Sequence, residues 1–229
     1  MNGLTRALAH VAAIAALALA SPSTAAEADD KQAQKLEEAA LVYRELLSTP
    51  DRGVPEALLE SCRCIAVLPR VIKGAVVYGG RAGTGVMSCR DSAGSWSPPS
   101  FVRMAGGSWG LQMGAESSDL VLFFMNEASA RSVVTSSKLT LGGKAGVAAG
   151  PFGRTGEAST DLKLSAEIYT YAKSKGLFAG LSLEGARLSA DEKANTAFYG
   201  EMVSVPRLLF EHRAPKVPGA AVAFLKTLP

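Results

Sequence analysis

Ser108 is the residue whose surroundings come closest to an enzyme motif. It lies in Gly106-Gly107-Ser108-Trp109-Gly110, which matches the G-x-S-x-G pattern of a hydrolase nucleophile elbow. An elbow needs a strand before its serine, a helix after it, and an acid and a histidine later in the chain. The residues after Ser108 read as a strand, and His212 is the one histidine downstream. We therefore predict no enzyme, since a hydrolase would need His212 within hydrogen-bond reach of Ser108.

A second possible chemical motif is the glycine-rich run GGRAGTG at residues 79–85. It lacks the Gly-Lys-Ser/Thr ending of a nucleotide P-loop, and it does not open a helix followed by an acid about 20 residues later. We interpret residues 79–83 as a turn between two strands. Arg81 would then lie at the tip of that turn, where it could contact an anion.

The carboxylates Glu116, Glu157 and Glu184 could be imagined as an acid–base pair. Glu116 and Glu184 lie close to glycine in otherwise apolar stretches, where a buried carboxylate needs a partner. We expect structural ion pairs or hydrogen bonds for these residues, with Arg154 as a candidate partner.

The three cysteines are Cys62, Cys64 and Cys89. In an oxidising compartment one bridge and one remaining thiol are expected. Cys62 and Cys64 are too close in a strand to pair, which leaves Cys64 or Cys62 as the partner of Cys89; we take Cys64–Cys89 as the prediction. Because His212 is the one histidine outside the first 26 residues, and no second cysteine pair has zinc spacing, we expect no metal and no cofactor.

The charges are distributed unevenly, although the formal net charge is only +3. Residues 61–90 hold five bases and no acid, residues 128–156 hold four bases and no acid, and residues 27–47 hold six acids against three bases. One interpretation is an electropositive face that meets an anion, and the other is separate solvated charges. The modest net charge argues against a nucleic-acid partner, as does the export that residues 1–26 predict.

Residues 1–26 have the pattern of a secretory signal peptide. Arg6 precedes the apolar run at 7–20, and small residues end at Ala26. The apolar run is shorter than the ~20 residues of a membrane-spanning helix, and no lipid-anchoring cysteine follows it. We predict a single domain over residues 27–229 and a periplasmic or secreted location.

The rest of the chain predicts a mixture of helices and strands. Residues 29–48 form a helix capped by Asp29 or Asp30, and residues 55–61 a short second helix. Strands are expected at 64–68, 74–80, 84–90, 109–115, 119–125, 166–172 and 177–188. The run at 120–125 lacks alternation and is expected to be covered on both faces. Further helices are predicted at 126–136, 189–199, 203–210 and 217–228.

Six glycine- and aromatic-rich blocks, in this order, carry a family resemblance. They are CIAVLPRVIKGAVVYGGRAGTGVMSCR (64–90), GSWSPPSF (94–101), GGSWGLQMGAESSDLVLFF (106–124), TLGGKAGVAAGPFGR (140–154), YTYAKSKGLFAGLSLEG (169–185) and ANTAFYG (194–200). Together they resemble the SYLF domain, the Las17-binding, actin-regulator-like family, and this chain looks like an exported bacterial member. The resemblance covers roughly residues 35–228.

The resemblance implies an α+β single domain in which a curved antiparallel sheet or partial barrel is flanked by helices. It implies binding of anionic lipid headgroups of phosphoinositide type and no catalytic residues. Actin binding, known for some fungal members, is not expected of an exported protein, and a structural or protein-interaction role in the cell envelope is the alternative. The N-terminal helix, which has a membrane role in eukaryotic members, is acidic here and is expected to pack on the sheet. We therefore place headgroup contacts on the bases of the acid-poor segments: Arg70, Lys73, Arg81, Lys144, Lys173 and Lys175.

Overall fold

The computed structural model describes residues 24–49, 53–75, 78–109, 114–135, 139–141, 146–151, 166–174, 176–180, 183 and 185–229. Six helices lie in this part of the chain: α1 (Thr24–Ser48), α2 (Glu56–Ser61), α3 (Glu127–Thr135), α4 (Glu192–Tyr199), α5 (Val205–Phe210) and α6 (Gly219–Leu225). Nine strands accompany them: β1 (Cys64–Ala75), β2 (Tyr78–Cys89), β3 (Ser100–Trp109), β4 (Gly114–Phe124), β5 (Leu139–Thr140), β6 (Val147–Ala149), β7 (Ile168–Ser174), β8 (Leu177–Gly180) and β9 (Arg187–Ala190).

All nine strands belong to one sheet that curls into a half-barrel. Its order is β5-β9-β3-β2-β1-β4-β7-β6, with β8 pairing β7. Every pairing is antiparallel except that of β6 with β7, which is parallel. The predicted α+β class with a curved sheet and flanking helices is therefore confirmed, with one parallel pair added to the expected antiparallel sheet.

The sheet is buried on both faces along its central strands. In β4, Leu120, Leu122 and Phe124 pack in one cluster and Val121 and Phe123 in another, and all five are at most 1% exposed. The first cluster includes residues of α3, and the second includes residues of α1, α2, α4 and α6. We call these two sides the α3 face and the α1 face. The predicted covering of this run on both faces is confirmed, and each such side chain contributes about 1.5–3 kcal/mol on burial.

Helix α1 packs its apolar stripe on the sheet as its spacing predicts. Leu36, Ala40 and Tyr43 are buried at helical spacing in the α1-face cluster. The helix begins at Thr24, so Asp29 and Asp30 lie inside it and the predicted cap at either residue is wrong. The acidic helix therefore lies against the sheet, as expected from its charge.

A bulge at Pro69 and Arg70 lets β1 continue to Ala75. The pairing register shifts between Leu68 and Val71 against β4, and Arg70 has a φ of 53°. Proline has no N–H to donate to a neighbouring strand. At a bulge the residue is not regularly paired, so the missing donor does not end the strand. The prediction that the strand ends at Pro69 is wrong for this reason.

Residues 79–83 lie inside β2 and do not form the predicted turn. Gly79 pairs with Ala75 and Gly80 with Gly74, so the β1–β2 connection falls at residues 76–77. A Cβ on Gly85 would lie 2.1 Å from the carbonyl oxygen of Val67. Glycine is required in this strand because the backbones approach closely at the bulge.

Two other predicted strands have different bounds in the structure. Of the expected strand at 109–115, Trp109 ends β3 and Gly114 and Ala115 begin β4, while 110–113 lie outside the described residues. The expected strand at 177–188 is divided into β8 and β9, which pair with β7 and β3 respectively. Strand propensity alone does not show these interruptions, because it carries no information about the pairing partner.

A disulfide joins Cys64 of β1 to Cys89 of β2, which are directly paired in the ladder. This is the predicted bridge. Cys62 is a free, buried thiol whose sulfur donates to the Leu59 carbonyl at 3.2 Å. Burial raises the pKa of Cys62 to about 11, although the nearby Arg90 guanidinium acts in the opposite direction. Arg90 also binds the carbonyls of Leu59 and Cys62, and so fixes the chain between α2 and β1.

Candidate functional site

Several strands have an end on the same side of the sheet. Ala75 is paired with both Gly79 and Gly114, and Tyr78 with Trp109, so the last residues of β1 and β3 and the first residues of β2 and β4 lie side by side. Strand β7 runs antiparallel to β4, which directs the β7–β8 connection to that end as well. We call this the hairpin end. Loops gathered at one end of a rigid sheet are a common place for binding sites.

A row of charged residues crosses three strands at the hairpin end. Lys73 of β1 is paired with Arg81 of β2 on one side and with Glu116 of β4 on the other. Directly paired residues present their side chains on the same face, about 4.5–5.5 Å apart at Cβ. Arg81 and Met87 are six residues apart in β2 and so point to the same face, and because Met87 belongs to the α3-face cluster, this row lies on the α3 face.

Partial burial distinguishes Arg81 from an ordinary surface arginine. Burial lowers the pKa of the Arg81 guanidinium, and the carboxylate of Glu116 acts in the opposite direction. Glu116 also accepts a hydrogen bond of 2.6 Å from the Ser174 hydroxyl. The predicted hydrogen-bonding role of Glu116 is therefore observed, whereas Glu157, Glu184 and Arg154 lie outside the described residues.

Arg70 is held at the hairpin end by its own bulge. Its backbone N–H donates to the Asp119 carboxylate at 2.9 Å, and its guanidinium forms an ion pair with Glu38 of α1. The positive φ turns the side chain away from the direction that a regular strand would give it. The bulge thereby places a base between the sheet and α1.

Lys173, near the end of β7, is the fourth base of this region. Its ammonium group forms an ion pair with Glu45 of α1 and lies 5.8 Å from the centre of the Phe178 ring. Asp119 is its direct partner across the β4–β7 ladder. Lys173 is therefore within reach of two carboxylates.

Four of the six bases predicted for headgroup contact therefore lie near the hairpin end, with Lys73 and Arg81 on the α3 face and Arg70 and Lys173 beside α1. Lys144 and Lys175 lie outside the described residues. The four bases are interleaved with four acids, so this region is not the uniformly electropositive face that the sequence suggested. The acids come from strands and a helix that precede or follow the acid-poor segments in the chain: Glu38, Glu45, Glu116 and Asp119.

Exposed apolar side chains accompany these charges. Ile72 is 57% exposed and Leu177, at the start of β8, is 70% exposed. Ile72 lies on the opposite face from Lys73, because the two are consecutive in a strand. It is paired with Ala82 and Ser117, and neither of these covers it. The hairpin end therefore offers both cations and large apolar groups to solvent.

The structure excludes a Ser108–His212 pair. Ser108 is paired with Gly79 near one end of β2, whereas His212 lies 3.7 Å from Asp91, just beyond the other end of that strand. At about 3.3 Å per residue the length of β2 puts the two residues about 30 Å apart. A serine hydrolase with these residues is not possible in this fold.

Two arginines that sequence reasoning did not single out, Arg103 and Arg187, lie in neighbouring strands β3 and β9. In the sequence, both arginines alternate with apolar residues, which indicates exposed side chains. Only the β3–β9 pairing shows that the two are neighbours. In the part of the chain that the structure describes, no group of three or more metal-ligating side chains occurs. Among the same residues, no helix has the length and apolarity needed to cross a membrane.

Comparison with known proteins gives a consistent result. Residues 105–229 match the family model Ysc84, described as Las17-binding protein actin regulator. The chain is 41% identical over 152 residues to SH3 domain-containing YSC84-like protein 1 of Xenopus laevis, covering 66% of this chain and 45% of that protein. It is 37% identical over 180 residues to protein YSC84 of Saccharomyces cerevisiae, covering 78% of this chain and 38% of that protein.

The human SH3 domain-containing YSC84-like protein 1 is 37% identical over 161 residues, covering 70% of this chain and 47% of that protein. The chain therefore spans less than half the length of these relatives. The alignment with YSC84 covers 78% of this chain and therefore extends beyond residues 105–229, which the family model matches.

Proposed function

The chain belongs to the Ysc84 family, the SYLF domain that its sequence blocks resemble, and we propose that it is a non-enzymatic module that binds anionic lipid headgroups. The hairpin end would be the docking surface. The observation that carries this proposal is the direct pairing of Lys73 with Arg81 on one face, with the exposed Ile72 on the other.

Adjacent cations and exposed apolar side chains suit a membrane surface. Lysine and arginine attract phosphate groups, and each base near an anionic surface contributes on the order of 1 kcal/mol. Ile72 and Leu177 could enter the interfacial region of the bilayer, where apolar side chains are stabilised. Docking would therefore combine electrostatic attraction with limited apolar insertion.

The four acids at the hairpin end set a limit on this attraction. Glu38 and Glu45 pair with Arg70 and Lys173, and Glu116 lies beside Lys73 and Arg81. We propose Lys73 and Arg81 as the leading headgroup contacts because they are directly paired on one face near the end of the sheet. We propose that binding is weak at a neutral surface and grows with the density of negative charge. It should decline as salt rises, because salt screens exposed charges over about 10 Å at 0.1 M.

We propose that the protein acts outside the cytoplasm, after removal of residues 1–26. The support is the pattern of Arg6, the apolar run at 7–20 and the small residues up to Ala26. A disulfide between Cys64 and Cys89 fits an oxidising compartment. The ligand would then be an anionic lipid of that compartment, with phosphoinositide-like charge.

Co-sedimentation with vesicles tests the lipid proposal. Purified protein is mixed with phosphatidylcholine vesicles, with vesicles containing phosphatidylglycerol, and with vesicles containing a phosphoinositide, each at low and high salt. We expect binding to the two anionic compositions only, weakened by salt. Lys73→Gln/Arg81→Gln should lower the affinity about tenfold or more, because two cations are lost.

The matched control is Arg63→Gln/Lys226→Gln, which removes the same charge from residues remote from the hairpin end. Arg63 precedes β1 at the opposite end of the sheet, and Lys226 follows α6. If both double variants lose the same affinity, only net charge matters and the hairpin end is not the site. If no composition binds the unaltered protein, the lipid proposal is wrong.

A protein-interaction role is the second candidate, because relatives are named for binding Las17. An apolar groove of about 660 Å³ lies between α4 and α5, and Met202 beside it is 88% exposed. A photo-crosslinking residue at Met202 would capture a protein partner in cell envelope preparations. Absence of crosslinks specific to this position would remove the groove from consideration.

A further inference from the structure

Arg103 of β3 and Arg187 of β9 lie on one face of the sheet as diagonal neighbours. Arg103 is paired with Ser189, and Arg187 is paired with Ala105. The second pair is two residues further along each strand than the first. Diagonal neighbours in an antiparallel pair are about 7–8 Å apart. Both side chains are exposed. Two long guanidinium side chains at this spacing can reach the same small anion.

The two arginines line a cleft of about 550 Å³ whose other walls come from the end of β9, α3 and the start of α4. Ser189 adds a hydroxyl to the cleft, and the partly exposed Val134 of α3 contributes to an apolar side. The volume lies within the range of small-molecule sites, which is about 300–1,000 Å³. The cleft thus combines donors for an anion with a surface for a carbon skeleton.

Among the described residues, the arginines that line this cleft outnumber its acids. Within the described part of the chain, neither Arg103 nor Arg187 forms an ion pair. Glu192 is the acid among the lining residues, and it lies in the first turn of α4, where the helix dipole favours a negative charge. Two guanidinium groups therefore face one carboxylate, in contrast to Arg70, which is matched by Glu38.

We propose that this cleft, which we call the arginine cleft, binds the phosphate group of a small phosphate ester. A planar guanidinium offers two parallel N–H donors to phosphate oxygens, so two arginines can hold one phosphate with fixed geometry. Ser189 can donate a further hydrogen bond. The apolar side of the cleft would contact the carbon part of the ester.

The arginine cleft does not include the cations proposed for lipid docking and does not depend on them. Lys73 and Arg81 lie on the opposite face of the sheet from Arg187, and Ile72, which shares the face of Arg187, lies three strands away from it. Either site could therefore fail in experiment without affecting the other.

Isothermal titration calorimetry of the purified protein with inorganic phosphate and with glycerol 3-phosphate tests this proposal. Arg103→Gln/Arg187→Gln should bind at least tenfold more weakly than the unaltered protein, because charge-assisted hydrogen bonds are lost. The matched control Arg63→Gln/Arg213→Gln removes two exposed arginines elsewhere and should bind as the unaltered protein does. Lys73→Gln/Arg81→Gln should also be unaffected.

Vesicles separate a free ester from a lipid headgroup carrying the same phosphate. Arginine-dependent binding of glycerol 3-phosphate supports a soluble ester, and arginine-dependent binding confined to phosphatidic acid vesicles supports a headgroup in the arginine cleft. Equal affinity of the Arg103→Gln/Arg187→Gln variant and the unaltered protein for every probe overturns the proposal. So does failure of the unaltered protein to bind any probe. Circular dichroism confirms that each variant is folded.

Discussion

Arg70 of β1 forms an ion pair with Glu38 of α1, across 32 residues of the chain. Glu45, seven residues after Glu38, forms the equivalent pair with Lys173 of β7. Seven residues are close to two helical turns, so both acids lie on the side of α1 that meets the hairpin end. The helix therefore presents carboxylates to two bases that an anionic headgroup would also attract.

This competition predicts that Glu38→Gln/Glu45→Gln strengthens binding to acidic vesicles. Arg70 and Lys173 are released, as is Lys35, which also pairs with Glu38, and two negative charges are removed. We expect an increase of about tenfold in affinity. The unfolding free energy should fall by about 1 kcal/mol for each pair, since one partner in each is partly exposed to solvent. Vesicle co-sedimentation and urea unfolding measure the two effects.

The control for that experiment is Glu127→Gln/Glu211→Gln. These acids pair with Arg131 and Arg207 in other helices, so the variant has the same change in net charge. An equal gain in affinity for both double variants would show that net charge alone is responsible. A loss of affinity in Glu38→Gln/Glu45→Gln would contradict the competition.

Gly85 is predicted to be irreplaceable. An alanine Cβ at this position would lie 2.1 Å from the Val67 carbonyl oxygen and 2.7 Å from the Leu68 Cα, both backbone atoms. We expect Gly85→Ala to lower the unfolding free energy by about 3 kcal/mol, because the β1 backbone must move. Gly107→Ala is the control, since nothing lies within 4 Å of its Cβ. Denaturant unfolding should show a change below about 1 kcal/mol for the control.

The Cys64–Cys89 disulfide is predicted to stabilise the fold without contributing to docking. The two cysteines are 25 residues apart in the chain, and a loop of that length corresponds to about 3 kcal/mol. Cys64→Ser/Cys89→Ser should lower the midpoint of urea unfolding accordingly. Its vesicle affinity should be unchanged, because the bridge lies at the end of β1 remote from the hairpin end. A large loss of affinity in folded protein would place the docking surface elsewhere.

The buried thiol of Cys62 should make the folded protein less stable at alkaline pH. Its pKa is raised to about 11 from an ordinary value of 9.0, chiefly by burial. Between these values the unfolded thiol loses its proton while the folded thiol keeps it, so stability is present below pH 9 and is lost as pH rises to 11. The loss is at most about 2–3 kcal/mol. Unfolding of Cys62→Ala across this range should show a shallower slope, and an identical slope would contradict the assignment.

The sequence by itself determined the family, the fold class and the main elements of the core. Apolar residues recur every 3.6 positions in residues 36–47 and form an unbroken run in β4. Both patterns arise because the buried positions of one helix or strand must be apolar, whatever that element packs against. Both are therefore readable from local pattern, and the six ordered blocks identified the SYLF domain. Local geometry left open whether Cys64 or Cys62 is bonded to Cys89. The β1–β2 register pairs Cys64 with Cys89 and so decides it.

The tertiary structure alone decided how the charges are arranged. The bases at Arg70, Lys73 and Arg81 lie in a segment without acids, yet Glu38 and Glu116 reach them from α1 and β4. Likewise Arg103 meets Arg187 only because β9 pairs with β3. Charge acts over distance in space, and strand order sets that distance between residues far apart in the chain. A linear count of charges cannot reveal it, which is why an expected basic face proved to be a surface of alternating charge.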